Sequence, residues 1–439
     1  WVEILENNGS WNTVPADWAK NSVGQITSIK AISGDTIILR NPLRITYLDS
    51  LNPRLQRMEP VKNVAVSCLK IIRVDKPTEG GGYNIFMDYA VNSRIAGIES
   101  DTSSGSHIYI SRSAQIKVEG SYFHHAFAYD GVSTHGYGVT LAHHSSGCLI
   151  VNNIFVHLRH AMMVKTGANG NVFAYNYSRD PFRSEVFSDL SGDISLHGHY
   201  PFANLFEGNI VQNIIIDHYW GPSGPRNTFF RNRAELWGII MTQSDTTGTS
   251  DQNFVGNECT DASFLHGQFA LKGTNNFVYA NNILGVIIPA SSGELSDSSY
   301  YLSERPDFWE TDEHWPDIGL PNKLDTGIIP AKQRFKSGGL LTVCPEEVTA
   351  VRKYPSGDVA WQIGPNPARG KLYISAPAGD GSGSFRLRIF DMQGKLLSAK
   401  DYEKRNIVVP LDKNWRSGIY LLEISSGKSR FLRKIVLVR

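Results

Sequence analysis

Six short segments of this chain repeat one pattern: a polar residue, any residue, an apolar residue, two more residues, then Asn. They are CLIVNN, with Cys148 in the polar place, NVFAYN, NLFEGN, NTFFRN, QNFVGN and NFVYAN, ending at Asn153, Asn176, Asn209, Asn232, Asn257 and Asn281. The gaps between those Asn residues are 23, 33, 23, 25 and 24 residues. A fixed period of this size is the mark of a solenoid, and it restricts the fold more than any other feature of the chain. Each period holds short alternating Val, Ile and Phe runs broken by Gly, Asn or Ser, which is strand patterning rather than helix patterning. Two dozen residues accommodate three short strands and their turns, one rung of a parallel β-helix. Weaker copies, RIAGIE (94–99) and IKVEGS (116–121), extend the column toward residue 90. Asn suits the left-handed backbone of a tight turn, and stacked Asn side chains can bond along the axis as a ladder. The apolar residue three places earlier is expected to point inward and stack on its counterparts.

The remaining chain divides around that column. Residues 1–75 alternate (QITSIKAI, DTIILRNPLRITY) and are expected to form an N-terminal β cap over the first rung, with the β-helix at 76–285. Residues 286–340, rich in Pro, Trp and Ser, are expected to cap the far end irregularly, and 341–362 to act as a linker. Residues 363–439 show alternating runs separated by Gly, Asp and Asn turns, as in a sandwich of about seven strands. The fold class is therefore all-β, a β-helix solenoid followed by a small C-terminal β-sandwich. Charge supports the division: Gly364–Arg439 carries 15 Lys/Arg and 6 Asp/Glu, a net +9, against −8 for the rest. An acidic body argues against nucleic acid as partner. No apolar run reaches the ~20 residues of a membrane-spanning helix. A chain that starts at Trp1 rather than Met reads as a processed or trimmed product. The four cysteines, Cys68, Cys148, Cys259 and Cys344, match no metal-ligand spacing and suit buried positions or at most one disulfide.

Two resemblances follow from these motifs. The PNP opening (Pro365, Asn366, Pro367), the DMQGK hairpin with Gly394, the GIYLL strand with Gly418 and the KIVLVR end with Lys434 resemble the C-terminal sorting domain of the type IX secretion system of Bacteroidetes. That resemblance implies export across the outer membrane, a secreted or cell-surface location, and the secretion machinery as a partner of residues 363–439. The body resembles the right-handed parallel β-helix proteins grouped with pectin lyases, among which are polysaccharide lyases, glycoside hydrolases and phage tailspikes. A polysaccharide or surface glycan is the partner this implies, with Ca²⁺ as a candidate cofactor and no metal ligand set readable in the chain.

Chemistry is expected where the column is interrupted. The 33-residue gap places an insertion, RDPFRSEVFSDLSGDISLHGHYP, in one rung, and insertions on a rigid solenoid mark binding faces. Counting back sixteen places from successive Asn residues aligns Tyr137, His160, Asp193 and Ile216, with Asp217 and His218 beside them. Rungs stack about 4.8 Å apart, so His160, Asp193, Asp217 and His218 are the candidate catalytic residues. Paired carboxylates would serve glycoside hydrolysis; a base such as His160, with a cation to neutralise a uronate, would serve elimination. Lys165, His197, His199, Trp220 and Trp237 are the candidate substrate-binding residues, the Trp rings as platforms for sugars. The pairs His124–His125 and His143–His144 suggest a metal, but neighbours on a strand face opposite sides, so none is expected there. Two functions remain in competition: a polysaccharide-cleaving enzyme, or a noncatalytic glycan binder or adhesin using the same face.

Overall fold

The computed structural model describes residues 1–76, 82–130, 134–184, 191–243, 248–310, 314–345, 361–376, 384–391, 394–404, 406–426 and 429–438. Two compact units divide the chain, Trp1–Val348 and Thr349–Arg439.

The first unit is a right-handed parallel β-helix. Its first face stacks Ala90–Ala96, Ala114–Glu119, Leu149–Val151, Val172–Ala174, Leu205–Glu207, Thr228–Phe230, Asn253–Val255 and Phe277–Tyr279, all parallel. A second face begins at Lys70–Ile72 and continues through Glu99–Ser103, Tyr122–Ala126, Ile154–Val156 and Tyr177–Arg179. A third runs through Ile85–Asp88, Ser106–Ser111, Tyr137–Ala142, His160–Val164 and Ile194–Leu196. In the next two rungs single strands, Ile210–Ile216 and Arg233–Met241, serve both faces.

The repeated pattern has a residue-level cause. Asn153 donates from its backbone and side-chain nitrogens to Asn176 Oδ1, both at 3.0 Å, and Asn176, Asn209, Asn232 and Asn257 repeat those bonds up to Asn281. Each ladder side chain also donates to a backbone carbonyl, as Asn176 does to Ile150, so these buried amides are satisfied. The polar first place is a second ladder: Asn171, Asn204, Asn227, Gln252 and Asn276. Cys148 ends it, donating only its backbone N–H to Asn171. Between the ladders Phe173, Phe206, Phe229 and Phe254 stack with centroids 5.1 Å apart. Offset stacking of this kind adds to burial.

Both ends differ from the sequence expectation. Val61–Lys62 and Ala65–Ser67 already pair with Ala90–Ala96, so the column starts within the segment assigned to the cap. The N-terminal strands Val2–Leu5, Gly24–Thr27 and Arg54–Arg57 form an antiparallel sheet that lies along the flank, spanning several rungs. His144 is held between Glu3 and the Asn21 carbonyl, and Asn169 donates to the Gly24 carbonyl. Gly167 permits this approach: a Cβ there would stand 1.6 Å from the Ser22 carbonyl oxygen, and its φ is +68°. At the far end Val286–Ile288 turns back antiparallel onto Asn281–Ile283. The chain beyond then returns along another flank as a strap. Tyr300 bonds Glu207, the Ile318 carbonyl accepts from Arg231, Arg334 holds Asn152, and Val343 bonds Gly120. The strap is fastened to the first rung by a Cys68–Cys344 disulfide, while Cys148 and Cys259 are buried thiols.

The second unit has a three-stranded sheet, Gln362–Gly364, Lys371–Ser375 and Asn406–Pro410, and a four-stranded sheet, Phe385–Phe390, Leu396–Tyr402, Gly418–Ser426 and Ser429–Leu437. Its core includes Trp361, Leu372, Ile374, Leu387, Leu422 and Ile435. The separated motifs meet here: Asn366, between Pro365 and Pro367, donates to the Lys434 carbonyl and accepts from Val436 N–H. Gly418 pairs with Leu437, and Gly394 turns at φ +79°. Met392 and Gln393 of the hairpin, and most of the 341–362 linker, lie outside the described residues.

Candidate active site

The third face carries the candidate residues, but the register is not the one counted from the Asn residues. Val164, Leu196, Ile216 and Met241 pair in succession and point into the core. Lys165, His197 and Asp217 come next on their strands and stack as an outward column, each backbone N–H bonding the rung before it. The count slipped because the connection back to the first face lengthens, from Val164–Val172 to Leu196–Leu205 to Ile216–Thr228. Asp193 instead faces the start of the following strand, four residues upstream of the column. Ser121 takes the ladder place before Asn153, so a second insertion lies between Ala126 and Tyr137; its residues 131–133 lie outside the described residues. Residues 185–190 of the insertion in the 33-residue gap also lie outside them.

Asp193 is sealed in, 2% exposed. It accepts from Ser178 Oγ at 2.5 Å and from the Gln212 and Asn213 N–H groups at 3.0 and 2.7 Å. Burial pushes its carboxyl up to about 6 despite those bonds. These contacts stabilise the bulge between Val211 and Asn213. His160 is also buried, its Nδ1 3.2 Å from the Gly192 carbonyl. Burial holds its basicity well below the ordinary imidazole range, so the ring is neutral, with Nδ1–H as donor. It packs edge-on against Tyr137 and lies 5.6 Å from the His197 ring.

Asp217 is more open. One carboxylate oxygen bonds His197 Nδ1 and the other accepts Tyr219 N–H at 3.2 Å. Both side chains keep 15% of their surface in solvent. With Asp217 fixing Nδ1–H, the lone pair of His197 sits on Nε2, the arrangement a general base needs. Lys165 stands beside them, 5.2 Å from the Trp18 ring centre and 5.8 Å from that of Tyr109. Burial lowers its ammonium to about 8.

Trp18 comes from the N-terminal segment and had no motif to announce it. It crosses His199 at 4.7 Å and Trp220 at 5.2 Å, and is 42% exposed. His199 is enclosed, neither ring nitrogen has a partner, and burial lowers it to about 4. Tyr83 stacks on Tyr109, with Phe86 beside both, continuing the aromatic surface past Lys165. His218 follows Asp217, its Nδ1 buried. Trp237 is elsewhere: its ring lies 4.6 Å from His266, which bonds Asp261. The column offers Ca²⁺ one carboxylate, already bonded twice, where that ion takes about six to eight oxygens; the donor set does not suit it.

Residues 362–438 match the family described as Secretion system C-terminal sorting domain. No curated protein sequence matches the chain. Among solved structures the chain is similar to the tailspike protein gp49 from Pseudomonas phage LKA1, at 14% identity and a TM-score of 0.42, over 59% of this chain and 42% of that one. The chain thus spans less than half the length of that relative. No helix among the described residues is long and apolar enough to cross a membrane. The sorting domain directs the chain through the type IX secretion machinery to the cell exterior and its surface.

Proposed function

We propose that this protein cleaves an acidic polysaccharide lying along the outward side of the third face. The single observation that carries the reading is the half-open His197–Asp217 pair beside the Lys165 ammonium, under the Trp18 ring. Exposed aromatic rings beside a groove suit sugar faces, and a half-buried cation suits a uronate carboxylate. In an elimination, Lys165 would hold the carboxylate, lowering the cost of removing the C5 proton, and His197 Nε2 would take that proton while Asp217 stabilises the imidazolium; the electron pair would form the C4=C5 double bond as the C4–O glycosidic bond breaks, and the departing oxygen would be protonated by the imidazolium or by water. Neutral His160, buried one ring away, would support the His197 ring from behind. A hydrolase is the less favoured chemistry, because Asp193 is sealed and, among the described residues of the column, Asp217 has no second carboxylate beside it.

The binding reading retains one observation of its own: Trp18 and Tyr219, 42% and 64% exposed, would grip a glycan whether or not it is cut. The test is incubation of the purified protein with neutral and acidic polysaccharides, following absorbance near 235 nm and reducing ends. New absorbance that disappears in His197→Ala supports the elimination; reducing ends without absorbance replace it with hydrolysis. Binding without either signal replaces catalysis with recognition.

A further inference from the structure

A second cluster lies on the second face, apart from the Lys165–His197–Asp217 column. Asp101 pairs in register with His124 of the next rung. Alternation should send His125 to the opposite side, but His125 has φ +60°, the left-handed corner that Thr102, His157 and Asp180 repeat in the neighbouring rungs. That turn brings both imidazoles to the outer side. His124 Nδ1 and His125 Nδ1 are 2.8 Å apart, and they lie 3.5 and 3.9 Å from Asp101 Oδ1.

We propose that Asp101, His124 and His125 form a binding site for one first-row divalent transition-metal ion. The three donor distances fix its place: the point equidistant from all three atoms is about 2.0 Å from each, the length of a metal–imidazole or metal–carboxylate bond. At that point the two Nδ1 atoms subtend about 90° and the other two donor pairs about 120° and 150°, a planar, irregular set that does not select among the first-row ions; Cu²⁺, which nitrogen and oxygen donors bind most tightly of these, is the probe. Two nitrogen donors disfavour Ca²⁺ and Mg²⁺.

The surroundings support the assignment. His124 Nε2 is buried without a hydrogen bond, 3.4 Å from Glu99 Oε1. A proton on Nε2, facing that carboxylate, leaves the Nδ1 lone pair for a metal, the usual arrangement around a ligating histidine. Tyr122 stacks on the His124 ring at 4.2 Å and fixes its plane. His125 is 54% exposed, so the remaining coordination positions face solvent and are open to water or a substrate oxygen.

The experiment is titration of the full, untagged protein with Cu²⁺ after chelator treatment, read by calorimetry and by electron paramagnetic resonance. The expected result is one equivalent bound with nitrogen hyperfine structure, unaffected by excess Ca²⁺. His125→Ala, a change at an exposed position, should weaken binding at least tenfold, as should Asp101→Asn, while His157→Ala should leave it within twofold. Several weak equivalents that His125→Ala does not change, or no binding at all, would overturn the proposal. Since the readout is binding, its failure is separate from a failure of polysaccharide cleavage.

Discussion

Asp193 and Asp217 lie on the same sheet one rung apart, yet the structure treats them in opposite ways. Asp193 has three donors and almost no water; Asp217 has a histidine, one N–H and access to solvent. A carboxylate buried among a hydroxyl and two backbone N–H donors has no capacity left for a substrate, so position along the strand separates the two aspartates. The first is a structural brace for the point where two faces merge into one strand. The second holds His197 Nδ1 and, in the proposed cleavage, orients the base.

The largest test of that contrast is turnover. His197→Ala and Asp217→Asn should each lower cleavage by roughly 10²- to 10⁴-fold with unchanged folding, measured by initial rates at saturating polysaccharide. Asp193→Asn in a folded protein should leave the rate within a few-fold; a loss as large as that of Asp217→Asn would erase the distinction. Asp193→Ala should instead lower stability by about 2 to 4 kcal/mol in chemical denaturation, since it leaves buried N–H groups unpaired, while Asp193→Asn should cost less than half as much.

Protonation gives a finer probe. The folded carboxyl of Asp193 is raised to about 6, above about 3.9 in an unfolded chain. The folded state therefore binds the proton more tightly, and this contribution is full below about pH 4 and lost as pH rises through about 6, on the order of 3 kcal/mol. It appears as the difference between wild type and Asp193→Asn across that range. Lys165 works at the open end: its ammonium is lowered to about 8, so affinity for an acidic glycan should fall as pH rises through about 8, and Lys165→Met should abolish that dependence. Smallest is Trp18→Ala, expected to weaken glycan binding by about 1 kcal/mol through loss of stacking, read by calorimetry with an inactive variant.

Sequence made the column legible because its cause is local and repeated: Asn176 or Asn209 satisfies the same carbonyl and the same neighbour in every rung. The sorting domain was legible for a similar reason, its motifs being joined by Asn366. The site was half legible. His197, Asp217 and Lys165 were singled out, but their alignment was not, since turns of changing length intervene between the Asn ladder and the third face. Trp18 and the N-terminal sheet escaped because contacts across more than a hundred residues, such as Asn169 with Gly24, leave no periodic trace. His125 escaped because alternation says nothing of the left-handed corner that it shares with Thr102, His157 and Asp180.

The Cys68–Cys344 bond makes the body, in covalent terms, a ring of chain. One cut by a protease inside that ring opens it without releasing a fragment, so an extracellular enzyme that nicks a surface loop leaves both pieces attached and the column in register. A cut beyond Cys344 detaches the sorting domain and leaves the ring entire. Secretion and durability are thus separated at one residue: what lies after Cys344 can be discarded after export, and what lies between Cys68 and Cys344 stays one molecule after a single cut until a reductant reaches the bond.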